Sequence, residues 1–135
     1  MRAAAAVVLC GVALAACGFD VASPDDFLMT RTGQGPRVTL LVNDAGTIRC
    51  DGGRARPITS AMLINARDLV DNLTTDANNR LQIPQARNSV YRYTVRMQVG
   101  TVSFPDTAAV SHHELAGVEQ FALQALAGPC KSLGQ

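Results

Sequence analysis

The chain is predicted to fold as an α+β domain: a four-stranded antiparallel sheet with two helices on one face, in the order ββαββα, closed by one disulfide. Three observations predict it. Tyr91, Tyr93, Val95, Met97 and Val99 alternate with Arg92, Thr94, Arg96 and Gln98. That is the pattern of a strand with one buried and one wet face. Two further segments repeat apolar residues at helical spacing. Strand-like and helix-like segments follow one another so that each helix can cover the hairpin before it.

Taken in order, the elements begin at Arg37. Residues 17–36 contain Pro24, Asp25, Asp26, Gly33 and Gly35 and show no sustained period. They are expected to be a flexible tether, with Phe27-Leu28-Met29 as its one apolar knot. Val38, Leu40 and Val42 alternate with Thr39 and Leu41, the first strand. Asn43-Asp44-Ala45-Gly46 supplies turn chemistry, and Thr47 to Cys50 returns as the second strand. Asp51-Gly52-Gly53 breaks it.

The first helix follows Pro57, with Thr59 or Ser60 as its cap. Met62, Ala66, Leu69 and Leu73 form its apolar stripe, and it is expected to fade at Thr74-Thr75-Asp76. After the alternating strand, Gly100 marks a hairpin turn and Thr101 to Phe104 pairs back. Ser111-His112-His113-Glu114 has capping-box spacing for the second helix. Its stripe is Leu115, Val118, Ala122 and Ala125, widened by Phe121 and Leu126, and Gly128-Pro129 stops it. The two ββα halves echo one another, Gly46-Thr47-Ile48 against Gly100-Thr101-Val102.

The N-terminus carries the most specific motif. Arg2 is a short positive segment, Ala3 to Ala13 is almost wholly apolar, and Leu14-Ala15-Ala16-Cys17 ends in small residues and a cysteine. This is the layout of a secretory signal peptide. A transmembrane span needs about 20 apolar residues, and Asp20 follows the cysteine too soon. Leu14 to Cys17 resembles the lipobox of bacterial lipoproteins. The resemblance implies removal of residues 1–16, a covalent lipid with acyl chains such as palmitate on Cys17, and anchorage on the extracytoplasmic face of the cell membrane. Lysine occurs once, at Lys131, while arginine and alanine abound. That composition suits a GC-rich, actinobacterial source.

Processing leaves 119 residues, one domain's worth, with eleven basic against eleven acidic residues. A near-neutral chain without a basic stripe is not expected to bind nucleic acid. Of the four cysteines, Cys10 leaves with the signal and Cys17 takes the lipid. Cys50 and Cys130 remain. In an oxidising compartment such a pair is expected to form a disulfide. A free thiol pair and a metal site are the alternatives, the latter lacking further ligands at suitable spacing.

No serine–histidine–acid or cysteine–histidine arrangement is legible, so neither an enzyme nor a cofactor is expected. His112-His113-Glu114 is read as a cap, because metal-binding histidines on a helix sit four apart. Arg92 and Arg96 share the polar face of their strand, a surface for an anion or a partner. Arg80, Leu81, Gln82, Ile83 and Pro84, with Gln85, make an extended connection suited to presentation to a protein partner in the envelope.

The order of strand, hairpin, Cys50, Gly52-Gly53, Pro57, helix, Asp71-Asn72-Leu73, long loop, long strand, hairpin and final helix resembles Streptomyces subtilisin inhibitor-like proteins. The resemblance spans most of residues 37–126 and implies serine protease inhibition through residues 80–85. The family braces that loop with a disulfide of its own, and this loop has no cysteine. The leading expectation is therefore a non-enzymatic, membrane-anchored binding or envelope-associated domain, with protease inhibition as the alternative.

Overall fold

A computed structural model describes residues 25–134. The signal segment and Cys17 lie outside the described residues. The chain runs β1 (Asp25–Gly33), β2 (Val38–Asn43), β3 (Thr47–Cys50), β4 (Ala55–Pro57), α1 (Ser60–Asn78), β5 (Tyr91–Met97), β6 (Gly100–Pro105) and α2 (His113–Ala127), with 3-10 turns at Asp106–Val110 and Lys131–Leu133. The strands form one sheet in the order β4-β3-β2-β1-β5-β6. Each pairing between these strands is antiparallel. The α+β class, the two helices and the disulfide agree with the sequence reading; the strand count is six, not four.

The main correction concerns β1. Residues 25–33 fall within the segment expected to be tether, yet they form the strand that joins the two halves of the sheet. Phe27 and Met29 face the helices, at 0% and 1% exposure, while Leu28 faces the other way and is still only 6% exposed. A strand sheltered on both faces reads as a continuous apolar run and loses the alternation that betrays half-buried strands. The second extra strand, β4, has three residues including Pro57 and carries no periodic signal.

Helix α1 is capped as expected, Thr59 Oγ1 accepting from the Met62 amide at 3.2 Å. It runs past Thr74-Thr75-Asp76 to Asn78, because Leu73 and Ala77 are both fully buried and continue the stripe. Its C-terminal turn abuts the β5–β6 hairpin. A Cβ on Gly100 would lie 2.0 Å from the Ala77 carbonyl oxygen, so only glycine fits there. The capping box expected for α2 does not form. Asp106–Val110 already makes a 3-10 turn, and the Ser111 hydroxyl is drawn back to the Ala108 carbonyl at 3.3 Å. His112 occupies the cap position without a side-chain bond, and its Nδ1 lies 3.3 Å from a Glu114 carboxylate oxygen.

The core lies between the two helices and one face of the sheet. Phe27 meets Phe121 edge-on at 5.4 Å, fixing α2 over the sheet centre. Tyr93 stacks on Phe104 at 5.6 Å. Cys50, ending β3, is joined to fully buried Cys130, just past the end of α2. Arg56 donates to the adjacent Pro129 carbonyl at 2.6 Å, reinforcing the same corner.

Candidate functional site

Strand alternation sends one set of side chains to the helices and the other to solvent. The solvent set is Leu28, Thr30 and Thr32 on β1, Thr39 and Leu41 on β2, Arg49 on β3, Arg92, Thr94 and Arg96 on β5, and Thr101 and Ser103 on β6. No described helix covers them. Together with Arg37, Asp51 and Gly52 at one end, most of them line a groove of about 920 Å³. That size is typical of ligand sites.

Register sorts this face into rows. Arg49 pairs with Leu41, Leu41 with Leu28, and Leu28 with Arg96. Two leucines thus lie side by side with an arginine on either flank. The flanking Cα atoms are three strand spacings apart, roughly 14 Å. The next row is hydroxylic: Thr39 pairs with Thr30, Thr30 with Thr94, and Thr94 with Ser103. The Thr94 and Ser103 hydroxyls are 3.2 Å apart. Asp51 closes this row. Its carboxylate accepts from the Thr39 amide at 2.6 Å, and its own amide donates to the Thr39 carbonyl at 2.8 Å.

Charge sorts by face as well. Among the described residues, the open face carries Arg37, Arg49, Arg92 and Arg96 against Asp51 alone. Asp68, Asp71, Asp76 and Glu114 lie on the two helices instead. At the start of β1, Asp44 is bonded to Arg67 at 2.8 Å, and Asp25 accepts from the Asn43 amide group at 3.1 Å. Asp26 and Glu119 each bury one carboxylate oxygen that has no hydrogen-bond partner. Burial raises the pKa of both above the ordinary carboxyl value, with Asp44 adding to the effect on Asp26 and Asp106 to that on Glu119.

The 80–85 connection sits apart from the groove, along the outer edge of β6. The Ile83 amide donates to the Ser103 carbonyl at 2.8 Å, and the Ser103 amide donates to the Leu81 carbonyl at 2.9 Å. Arg92 donates to the Ile83 carbonyl at 3.0 Å and reaches Gln85 at 3.5 Å. The loop is therefore braced without a cysteine. Leu81 and Ile83 are half-buried and pack against the core, leaving Gln82, Pro84 and Gln85 exposed. Arg80 takes a left-handed conformation, φ 52°, and its amide is bonded to Ala77.

The remaining candidates are dispersed. His113 is exposed and His112 half-exposed, and no group of three metal-ligating side chains is assembled among the described residues. A crevice of about 150 Å³ lies between the helices, lined by Asn65, Asp68, Asn72, Glu114 and Gln124 among others. No described helix is long and apolar enough to cross a membrane.

Sequence reading singled out Arg92 and Arg96 but not the groove. Arg92 lies outside its lining; apart from Thr94 and Arg96 on β5, the strand residues that form it come from β1, β2 and β3, and only register brings them together. No family model, no curated protein and no solved structure matches this chain.

Proposed function

We propose that the protein is a non-enzymatic binding domain, held on the outer face of the cell membrane through a lipid on Cys17, whose working surface is the open face of the sheet. The observation that carries this reading is the arginine–leucine–leucine–arginine row beside a row of hydroxyls, covered by no described helix while the opposite face is closed by two. Arginines suit anionic oxygens, threonines donate further hydrogen bonds, and leucines accept an apolar group. The matching ligand is an anion that carries a hydrocarbon part.

Dodecyl phosphate, used below its micelle concentration, is a suitable probe. Added to the mature chain carrying Cys17→Ser, it is expected to shift the backbone NMR signals of Thr30, Thr39 and Thr94. Dodecyltrimethylammonium is expected to leave them in place. No shift with either would overturn the binding reading. The anchor has its own test: Cys17→Ser is expected to release the protein from membranes and abolish acyl labelling, and unchanged retention would refute it.

Protease inhibition through residues 80–85 is the second reading, favoured by the bracing of the loop on Ser103 and Arg92. Two features weigh against it. An added strand presents alternate backbone groups to its partner. Here the Arg80 amide is already bonded and Pro84 has none. The apolar side chains also turn toward the core. A subtilisin assay separates the readings: tight inhibition that is lost in Gln82→Ala supports the inhibitor, and no inhibition at micromolar protein removes it.

A further inference from the structure

The position of the leucine row along β1 points to what occupies the groove. Leu28 is only four residues into the strand, and Leu41 and Arg96 are its direct neighbours. The apolar part of the open face therefore lies at the end where the chain enters from Cys17. The segment before β1 is short. Residues 18–24 separate Cys17 from Asp25, so the distance from lipid to sheet is at most about 29 Å when fully extended. A domain tied that closely holds its open face at high effective concentration over the bilayer.

Resting on the binding reading above, we infer that the occupant is an anionic phospholipid of the membrane to which the chain is anchored. Its acyl chain lies along Leu28 and Leu41, and Arg49 and Arg96 meet headgroup phosphates from either flank. The guanidinium fork matches phosphate oxygens in pairs. The hydroxyls of Thr30 and Thr94 stand one row further along. Of the acidic groups at the same end, Asp44 is ion-paired with Arg67 on α1, Asp25 accepts from the neutral Asn43 amide, and Asp26 buries one carboxylate oxygen, so the four arginines of the open face have these last two to outweigh. The helices, with Asp68 and Asp71, face away from the bilayer. The domain then lies basic face down and acidic face up.

The test uses the mature chain with Cys17→Ser, so that the covalent lipid contributes nothing. Co-sedimentation is measured with phosphatidylcholine vesicles with and without phosphatidylglycerol. Partitioning is expected only where phosphatidylglycerol is present. Arg49→Gln with Arg96→Gln is expected to lower it roughly 25-fold, about fivefold per basic residue at an anionic surface. Arg87→Gln, exposed in the loop before β5 and outside the groove lining, is expected to change it less than twofold, and Leu41→Ser to weaken it without altering net charge. All variants are compared at equal folded fraction by circular dichroism. Equal partitioning into both vesicle types, or partitioning unmoved by the arginine changes, overturns the proposal. Binding of dodecyl phosphate without vesicle binding leaves the groove reading standing and removes the phospholipid. Binding of a polyglutamate peptide at the same residues, with no partitioning into phosphatidylglycerol vesicles, assigns the groove to an acidic polypeptide instead.

Discussion

The two faces of the sheet use the same strands for opposite ends. On the helix side, Val42, Ile48, Val95, Val102 and Phe104 are all fully buried, and a disulfide pins the last helix over them. On the other side, only Leu28 and Ser103 of the described strand residues are buried, at 6% and 9% exposure, with arginines and threonines around them. Stability is concentrated on one face, and the other is free to be chosen for its chemistry. Substitutions should therefore separate by face.

The largest effect tests whether β1 belongs to the folded unit. A chain starting at Arg37, the boundary suggested by periodicity, lacks the strand that joins both halves of the sheet. It is expected to show no cooperative thermal transition. Retention of a sharp transition would break the comparison at its root. Phe104→Ala, on the helix side, is expected to cost about 3–5 kcal/mol in denaturant unfolding. Replacing both cysteines, Cys50→Ala with Cys130→Ala, is expected to cost about 2–5 kcal/mol.

A smaller effect depends on pH. Glu119 binds its proton more tightly in the folded chain, because burial disfavours its charge. The resulting stabilisation is complete below the ordinary carboxyl value of 4.5 and is lost as pH rises through the raised folded value. Glu119→Gln is thus expected to melt above the wild type at neutral pH. The difference should vanish below pH 4.5, in scanning calorimetry across that window. Arg49→Gln, exposed on the open face, should change stability by no more than about 0.5 kcal/mol. A larger loss would mean that the open face also holds the fold together.

The legible parts of this fold were those with a single buried face. The alternation at Tyr91–Met97, the stripes of both helices and the pairing of Cys50 with Cys130 could be read because one period or one leftover pair carried each. Strand β1 was not legible because Phe27, Leu28 and Met29 are sheltered on both sides. The capping box at Ser111 had the right spacing but lost its serine to the preceding 3-10 turn. The groove was half legible. Arg96 stood out on its strand, while Arg92, singled out beside it, turns to the 80–85 connection instead. Leu41, Leu28 and Arg49 join Arg96 only through pairings that no local pattern encodes.

The place of β1 between its two neighbours has a mechanical consequence. If the domain is tied to the membrane through Cys17, any pull on that tie enters the fold at Asp25 and runs along the strand. The strand is laddered on both edges, to β2 and to β5. Such a load shears two sets of hydrogen bonds together, where an edge strand would peel one bond at a time. Drag on whatever the domain holds is then borne by the middle of the sheet, and the weak rim at β4 is spared.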